Sequence, residues 1–437
     1  MSSYGNYRGR SPQYGTGPHS PTRGGRNNSG WTSARRPSNT AETRSPADRD
    51  LFEGLVSDSV VEISVPSAGK ADDLNIEIND CQYVGSYTWT DRDIPTIIVP
   101  GAPRQWTNRA PPFLVQGDQG RMFVDQNGHR MPKTPFLPLI AAVTTRTETG
   151  GHSPFDWAGL DFITDRNALR KLVRWVKGGT DIKDFRIDLE LAGEKTVLMN
   201  RWEKRTTEYF NGRSFGFNFE KATTNAHRDC REGTGHHRIV TYDLNGIKMV
   251  VRFEVDACIP QSTAPAGSAP VGPSQSADID DLIAGLASAQ LGDTTPDSNE
   301  RFPGLKVVQG GYEVKEADVM ELSTRAERWI ASYDFTELYP QLFFSQTAHH
   351  IMGLHDRGNF KTIQKRALKG PDLQKINTQM QSHFRAVRKA LEEIQDLVVD
   401  FGEGGRLSLV CQGGVLRVYA RTGDDRCLPD HLLELFK

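Results

Sequence analysis

Net charge is the first thing this chain lacks. Its 53 lysines and arginines stand against 55 aspartates and glutamates over 437 residues, so overall electrostatics point to no highly charged partner. Cysteine is sparse. Cys81, Cys230, Cys258, Cys411 and Cys427 are odd in number and include no Cys-x-x-Cys pair. That argues against a disulfide framework and a zinc ribbon, and a reducing compartment, nucleus or cytoplasm, is expected. His227, Cys230, His236 and His237 add ligand types near Cys258, but at no finger spacing. No apolar run approaches the roughly 18 residues of a membrane span, and the polar, Arg-rich first residues contain no signal-peptide core. No membrane partner is expected. Gln309-Gly310-Gly311 is a glycine turn without the Gly-Lys-Ser/Thr ending of a phosphate-cradling loop. Asp72-Asp73, Asp280-Asp281 and Asp424-Asp425 lack the third aspartate of an isoprenoid synthase, and no Gly-x-Ser-x-Gly elbow suggests acyl transfer.

Apolar residues are scarce too, at 37%, while Gly (41) and Pro (24) are plentiful. Part of the chain is therefore expected not to pack. Residues 1–54 are rich in Gly, Ser and Arg, with pieces such as Tyr7-Arg8-Gly9-Arg10, and read as a disordered tail. Such a mixture suits sequence-tolerant RNA contact, and equally a solvated tail without a partner. Residues 261–300 read as a flexible insertion carrying one short apolar, possible helical piece at Ile279–Leu291.

What is there begins with residues 55–437, which read as one domain of intermingled strands and helices. Ile76–Tyr87 and Thr96–Val99 have strand character, the latter stopped by Pro100-Gly101. Asp165–Val176 reads as a helix with Leu169, Leu172, Val173 and Val176 on one side, and Leu373–Phe401 as a longer one stepping through Ile376, Met380, Phe384, Val387, Leu391 and Ile394. Phe215, Phe217 and Phe219 alternate with Gly216, Asn218 and Glu220, which predicts a strand, and Gly311–Thr324 predicts another with Val319, Glu321 and Ser323 on one face. A hairpin closes the chain around Gly413-Gly414. Without a regular β-α-β period, the fold class is α+β, with mixed sheets flanked by helices.

The most informative segment is Ile247–Cys258. Ile247, Met249, Val251, Phe253 and Val255 fall on one face; Lys248, Val250, Arg252, Glu254 and Asp256 fall on the other. Asn245-Gly246 joins this strand to His237–Leu244 as a hairpin. Two carboxylates at i and i+2 point the same way and call for a cation. Glu220 and Glu321 lie on two further predicted strands. An all-oxygen set of this kind suits Mg²⁺ or Mn²⁺, which could activate water against a phosphoryl group. The basic residues Arg357, Lys361, Lys365, Arg366 and Lys369 suit RNA-backbone contact or a solvated helix face. His349-His350, in an apolar stretch, reads as a packed or hydrogen-bonded pair.

Taken in order, these segments resemble the motifs of the DXO family of RNA 5′-end decapping and deNADding nucleases. They are Phe162–Lys171, Gly216–Glu220, Phe253–Cys258, Glu321–Thr324, and Phe344–Thr347 followed by Gly353–Arg357. The resemblance implies a core related to the PD-(D/E)XK nucleases and a divalent cofactor, Mg²⁺ or Mn²⁺. It implies that Glu254, Asp256, Glu321 and the Leu322 carbonyl ligate the metal, that Glu220 acts through a water on it, that Arg166 meets the RNA 5′ end, and that Gln346 sits beside the reacting phosphate. RNA 5′ ends are the implied substrate and a 5′-3′ exoribonuclease a possible partner. One position departs from the pattern: Ser323 stands where the family has a catalytic lysine, which weakens the expected activity unless another cation, such as Lys248 or Lys361, replaces it. The alternative expectation is a catalytically weakened, RNA-binding homologue.

Overall fold

The computed structural model describes residues 44–67, 74–179, 182–261, 301–402, 404–423 and 425–437. Residues 1–43 of the expected tail and 262–300 of the expected insertion, with the helix expected at Ile279–Leu291, lie outside the described residues. The end of the tail packs against the domain instead of standing apart from it. Leu51 is buried with Trp202, Val410 and Tyr419, and the Arg49 guanidinium lies 4.6 Å from the Trp202 ring centre.

Two mixed sheets organise the chain. The larger has 11 strands, in the order Leu55–Ile63, Val415–Arg421, Arg406–Gln412, Phe185–Ala192, Thr196–Trp202, Phe162–Asp165, Ile247–Glu254, Gly233–Leu244, Ile78–Thr90, Thr96–Gly101 and Lys306–Gly311. Phe162–Asp165 runs parallel to both of its neighbours, whereas Gly233–Leu244 and Ile247–Glu254 form the expected antiparallel hairpin. Its turn residues Asn245 and Gly246 both have positive φ, 48° and 95°, as a two-residue hairpin of matching twist requires.

Both faces of this sheet are covered. Met249, Val251, Phe253 and Val255 join a core with residues from the helices Arg166–Lys177, Phe335–Ser345 and Pro371–Phe401. Val250 and Ile239 join a second core under the helix Leu137–Gly150. The long helix begins with Pro371 at its first position and ends at Gly402 with φ 90°, the asymmetry that proline and glycine favour at helix ends. Every apolar position expected on its buried face belongs to the first core or packs against it. Among the described residues, no helix is long and apolar enough to cross a membrane.

The second sheet has seven strands: Thr224–Asn225, Gln105–Trp106, Ala257–Cys258, Val319–Ala326, His349–Asp356, Asn359–Ala367 and Phe113–Leu114. Three expectations change here. Ile247–Cys258 is not one strand: it leaves the large sheet after Glu254, and Ala257–Cys258 pairs in the second sheet. The Gly311–Thr324 region divides into the end of the strand Lys306–Gly311, a 3-10 turn at Glu316–Asp318 and the strand Val319–Ala326, so Gln309-Gly310-Gly311 is strand and not turn. The basic stretch after Arg357 is a strand, Asn359–Ala367, and not a helix face.

Candidate active site

The crossing from one sheet to the other places the first two carboxylates. The Val255 N–H still donates to the His236 carbonyl of the large sheet, at 2.9 Å. The next residue turns to the second sheet: Asp256 Oδ2 accepts from the Leu322 N–H at 2.7 Å. Glu254 therefore ends a strand of one sheet and Asp256 leads into the other, so the two do not alternate along a single strand. Arg252, expected on the cleft face, is 1% exposed and bound to Asp165 by two hydrogen bonds of 2.7 and 2.9 Å. It is a core ion pair with no opening to a ligand.

Glu220 lies on a helix, Gly216–Thr223, and not on a strand. Phe215 and Phe219 are four apart, so the same rings satisfy a helical face as well as an alternating one. Phe219 is buried against Phe113 and Phe360 of the second sheet, while Phe217 turns to Phe210. The Asn218 N–H near the start of this helix donates to Asp118 Oδ1 at 2.8 Å, the usual service of a carboxylate at a helix N-terminus. That packing brings Glu220 to the edge of the second sheet.

Glu321 and Ser323 share one face of Val319–Ala326, as expected, and Glu321 is 1% exposed. Arg166 Nη1 donates to Glu321 Oε2 at 3.0 Å and reaches Ser345 Oγ at 3.3 Å. The other oxygen of Glu321 accepts from the Gln341 amide. Gln346, expected beside the reacting phosphate, occupies a left-handed helix terminus with φ 48°, and its amide donates to the Phe343 carbonyl at 2.7 Å. Gln341, one and a half turns earlier, is the glutamine that enters the cluster. Ser323 Oγ hydrogen-bonds His350 Nε2 at 2.8 Å, which answers the expectation of a hydrogen-bonded histidine. Burial, aided by Arg366, holds the His350 imidazole down to about 3, so it is neutral at ordinary pH. Neither candidate lysine reaches the site. Lys248 lies at the opposite end of its strand beside Asp161, and Lys361 faces Glu327 on an exposed edge. The cations nearest Glu321 are Arg166 and, on the same helix, Arg170.

Electrostatics tie the four carboxylates together. Burial, then the Glu254 charge, with Glu321 and Asp118 behind it, push Glu220 up to about 8. Burial, then Glu321 and Glu220, raise Asp256 well above the carboxylate range. Like charges gathered out of water must take up protons or a cation. Two buried oxygens beside them have no hydrogen-bond donor: Oδ2 of Asp118 and Oε1 of Gln126. Gln126 is next to Glu254 across Gly235, where a Cβ would lie 2.5 Å from Gln126 Oε1 and 3.1 Å from Glu254 Oε1. The donor chemistry fits a hard divalent cation: several carboxylates, an amide oxygen and orphaned acceptors. The side chains are not drawn into a ready coordination shell, because no group of three His, Cys, Asp or Glu among the described residues is placed to hold a metal. Arg166 and Gln341 occupy Glu321 in that arrangement. The same holds for the zinc candidates: His236 bonds Thr88 Oγ1 at 2.9 Å and His237 stacks on Tyr87. Sequence reasoning missed Asp118, Gln126 and Gln341, since each is a single polar residue outside any alternating or spaced pattern.

The fold has solved counterparts. The S. pombe Rai1 structure in complex with 3′-FADP is 14% identical, with 83% of this chain and 99% of that one aligned at a TM-score of 0.50. Scheffersomyces stipitis Rai1 in complex with (3′-NADP)+ and calcium ion is 10% identical, covering 86% and 99% at 0.53. Candida albicans Rai1 in complex with pU5-Mn2+ is 10% identical, covering 86% and 98% at 0.51. At such identities the likeness is one of fold, and it agrees with the α+β class and the family resemblance read from the motifs. No curated protein matches the sequence. A family model described as a domain of unknown function, DUF8563, matches residues 67–436, and the chain belongs to that family.

Proposed function

We propose that residues 55–437 form a single metal-dependent hydrolase domain acting on RNA 5′ ends. What supports this reading is the electrostatics where a helix and two sheets meet: burial, then the charges of Glu254 and Glu321, raise Glu220 to about 8, and burial with Glu321 and Glu220 raises Asp256. The nucleotide, metal and pU5 ligands of the Rai1 structures support the choice of substrate class. Glu254, Asp256, Glu321 and the Leu322 carbonyl would hold Mg²⁺ or Mn²⁺, which supplies positive charge at the phosphoryl oxygens. Once ionised, a form that the charge of a bound cation would favour, Glu220 would take the proton of the attacking water. The water oxygen joins phosphorus, the bond to the leaving oxygen breaks, and that oxygen leaves with a proton. Arg166, bonded to Glu321 in this structure, would turn its guanidinium to the phosphate wherever a cation takes that carboxylate. Gln341, whose amide donates to Glu321, would orient that carboxylate.

A second reading rests on Ser323. Its hydroxyl is tied to a neutral His350, so neither supplies the charge of the absent lysine. The chain would then bind RNA 5′ ends with weak turnover and serve an exoribonuclease partner. Incubation with 5′-triphosphate, unmethylated-capped and NAD-capped RNAs plus Mg²⁺ or Mn²⁺ separates the two. Product that vanishes in Glu254→Ala/Asp256→Ala supports the hydrolase, and RNA binding without product supports the weakened homologue.

A further inference from the structure

The arginines of the N-terminal segment have no role so far. Residues 1–43 contain Arg8, Arg10, Arg23, Arg26, Arg35 and Arg36 against the single acid Glu42. The chain that follows them shows where this segment leaves the domain. Arg186 Nη1 donates to the carbonyls of Leu51 and Glu53 at 3.3 and 2.6 Å, and Arg49 Nη2 to that of Glu203 at 2.7 Å. Arg205 pairs with Asp48 at 2.7 Å, and the Tyr209 N–H donates to Ser45 Oγ at 2.8 Å. Residues 49 back to 45 thus run beside residues 203–209, onto the strand Thr207–Asn211.

That strand leads to the carboxylates. Tyr209 pairs with Arg121 and Asn211 with Gln119, and the Gly212 N–H donates to the Asp118 carbonyl at 2.7 Å. Ser45 is therefore on the order of 10 Å from Asp118, three strand rises away. Extended chain between Arg36 and Ser45 spans up to about 30 Å, so Arg35 and Arg36 reach the junction and the earlier arginines have more chain to spare. The junction is short of cations. Among the described residues, the one ion pair made by Asp118, Glu220, Asp256 and Glu321 joins Glu321 to Arg166. Arg104, whose charge reaches Glu220, is bound to the hydroxyl and carbonyl of Thr224 at 2.6 and 3.1 Å. Asp118 Oδ2 and Gln126 Oε1 are buried without a donor. Glu220 and Glu254 are half-buried, so a group arriving from solvent meets them before the buried Asp256 and Glu321. The carboxylate that does have an ion partner has taken a guanidinium, whose fork matches a carboxylate.

We infer that the chain's own N-terminal arginines seat on the mouth of the carboxylate junction when no metal is bound, and that metal and this segment compete there. Only the competition rests on the reading of the junction as a metal site; the arginine contact does not. A tethered segment acts at an effective concentration of about 1 mM. Contacts with a dissociation constant of about 0.1 mM would then keep it about nine-tenths seated and weaken a competing ion about tenfold.

Two measurements on the full chain test it. Trypsin cleavage after Arg23, Arg26 and Arg35 in EDTA reads the seated segment without metal. It should be about tenfold slower in wild type than in Glu220→Gln/Asp256→Asn, following the open population, and salt of about 0.5 M should remove the difference. Titration of Mn²⁺ at low salt then compares wild type with a chain carrying Arg→Gln at all six N-terminal positions, changes that touch neither sheet nor core. That chain should bind Mn²⁺ about tenfold more tightly, and Arg→Lys at the same positions should restore most of the competition. Equal cleavage of wild type and the junction variant overturns the inference, as does a measured Mn²⁺ affinity unchanged by Arg→Gln. Protection that fades on dilution also overturns it and assigns the segment to the junction of a second copy. Protection in wild type with no Mn²⁺ bound by either chain would leave the arginine contact standing and remove the metal site.

Discussion

Arg166 Nη1 lies 3.0 Å from Glu321 Oε2, with side-chain exposures of 6% and 2%. A buried carboxylate held this way depends on its partner, because removing one member strands a charge out of water. Arg166→Met should destabilise the protein by about 3–5 kcal/mol, measured by urea unfolding. Arg166→Met/Glu321→Gln should recover most of that loss. If the metal replaces Arg166, saturating Mn²⁺ should restore the single variant more than it stabilises wild type.

Acidity offers an independent check. Burial and the neighbouring carboxylates raise Glu220 from 4.5 to about 8. The folded protein thus keeps a proton that the unfolded chain has lost, and stability falls as pH climbs through that window. Glu220→Gln removes the effect, so its melting temperature should gain on wild type between about pH 5 and about pH 8. Saturating Mg²⁺ should erase the gain. A constant difference across the window would show that Glu220 is not strained by its neighbours.

Ser323 and His350 should behave as a unit. A lysine at 323 would meet a buried imidazole at the place where the serine hydroxyl now bonds at 2.8 Å. Ser323→Lys alone should therefore lower stability by about 1–3 kcal/mol and add no turnover. Ser323→Lys/His350→Val opens room for the ammonium, and turnover of capped RNA should rise about tenfold or more, since charge aimed at the transition state is worth that much or more. A gain in the single variant equal to that in the pair would contradict this coupling.

The two glutamines separate cleanly. Gln341→Ala should reduce Mn²⁺ affinity or turnover by about 10–100-fold, as loss of a group that orients a ligand does. Gln346→Ala should leave both within about twofold, because that amide bonds only to its own helix end. Metal titration and steady-state turnover of the same preparations read the difference.

How much of this was legible depends on whether a local pattern carried it. The hairpin at Asn245-Gly246 and the long helix through Met380 and Leu391 were readable, because turn chemistry and periodicity are local. The element that carries Glu220 is not legible, because Phe215 and Phe219 suit both periods and the helix Gly216–Thr223 stands where alternation predicts a strand. The break between Glu254 and Asp256 was hidden because the Val255 N–H and the Asp256 carboxylate bond to partners 19 and 66 residues away, at His236 and Leu322. Gln341 and Gln346 differ only in which turn of one helix faces Glu321. No sequence pattern distinguishes them.

The claim on which the rest depends is that Glu254 and Asp256, brought together where one strand passes between two sheets, form half of a single hard-metal site. Titration of Mn²⁺ followed by electron paramagnetic resonance tests it directly. Wild type should bind one ion per chain, competed by Mg²⁺, and Glu254→Ala/Asp256→Ala, folded by its melting profile, should bind none at that affinity. Equal binding by the double variant would contradict the account.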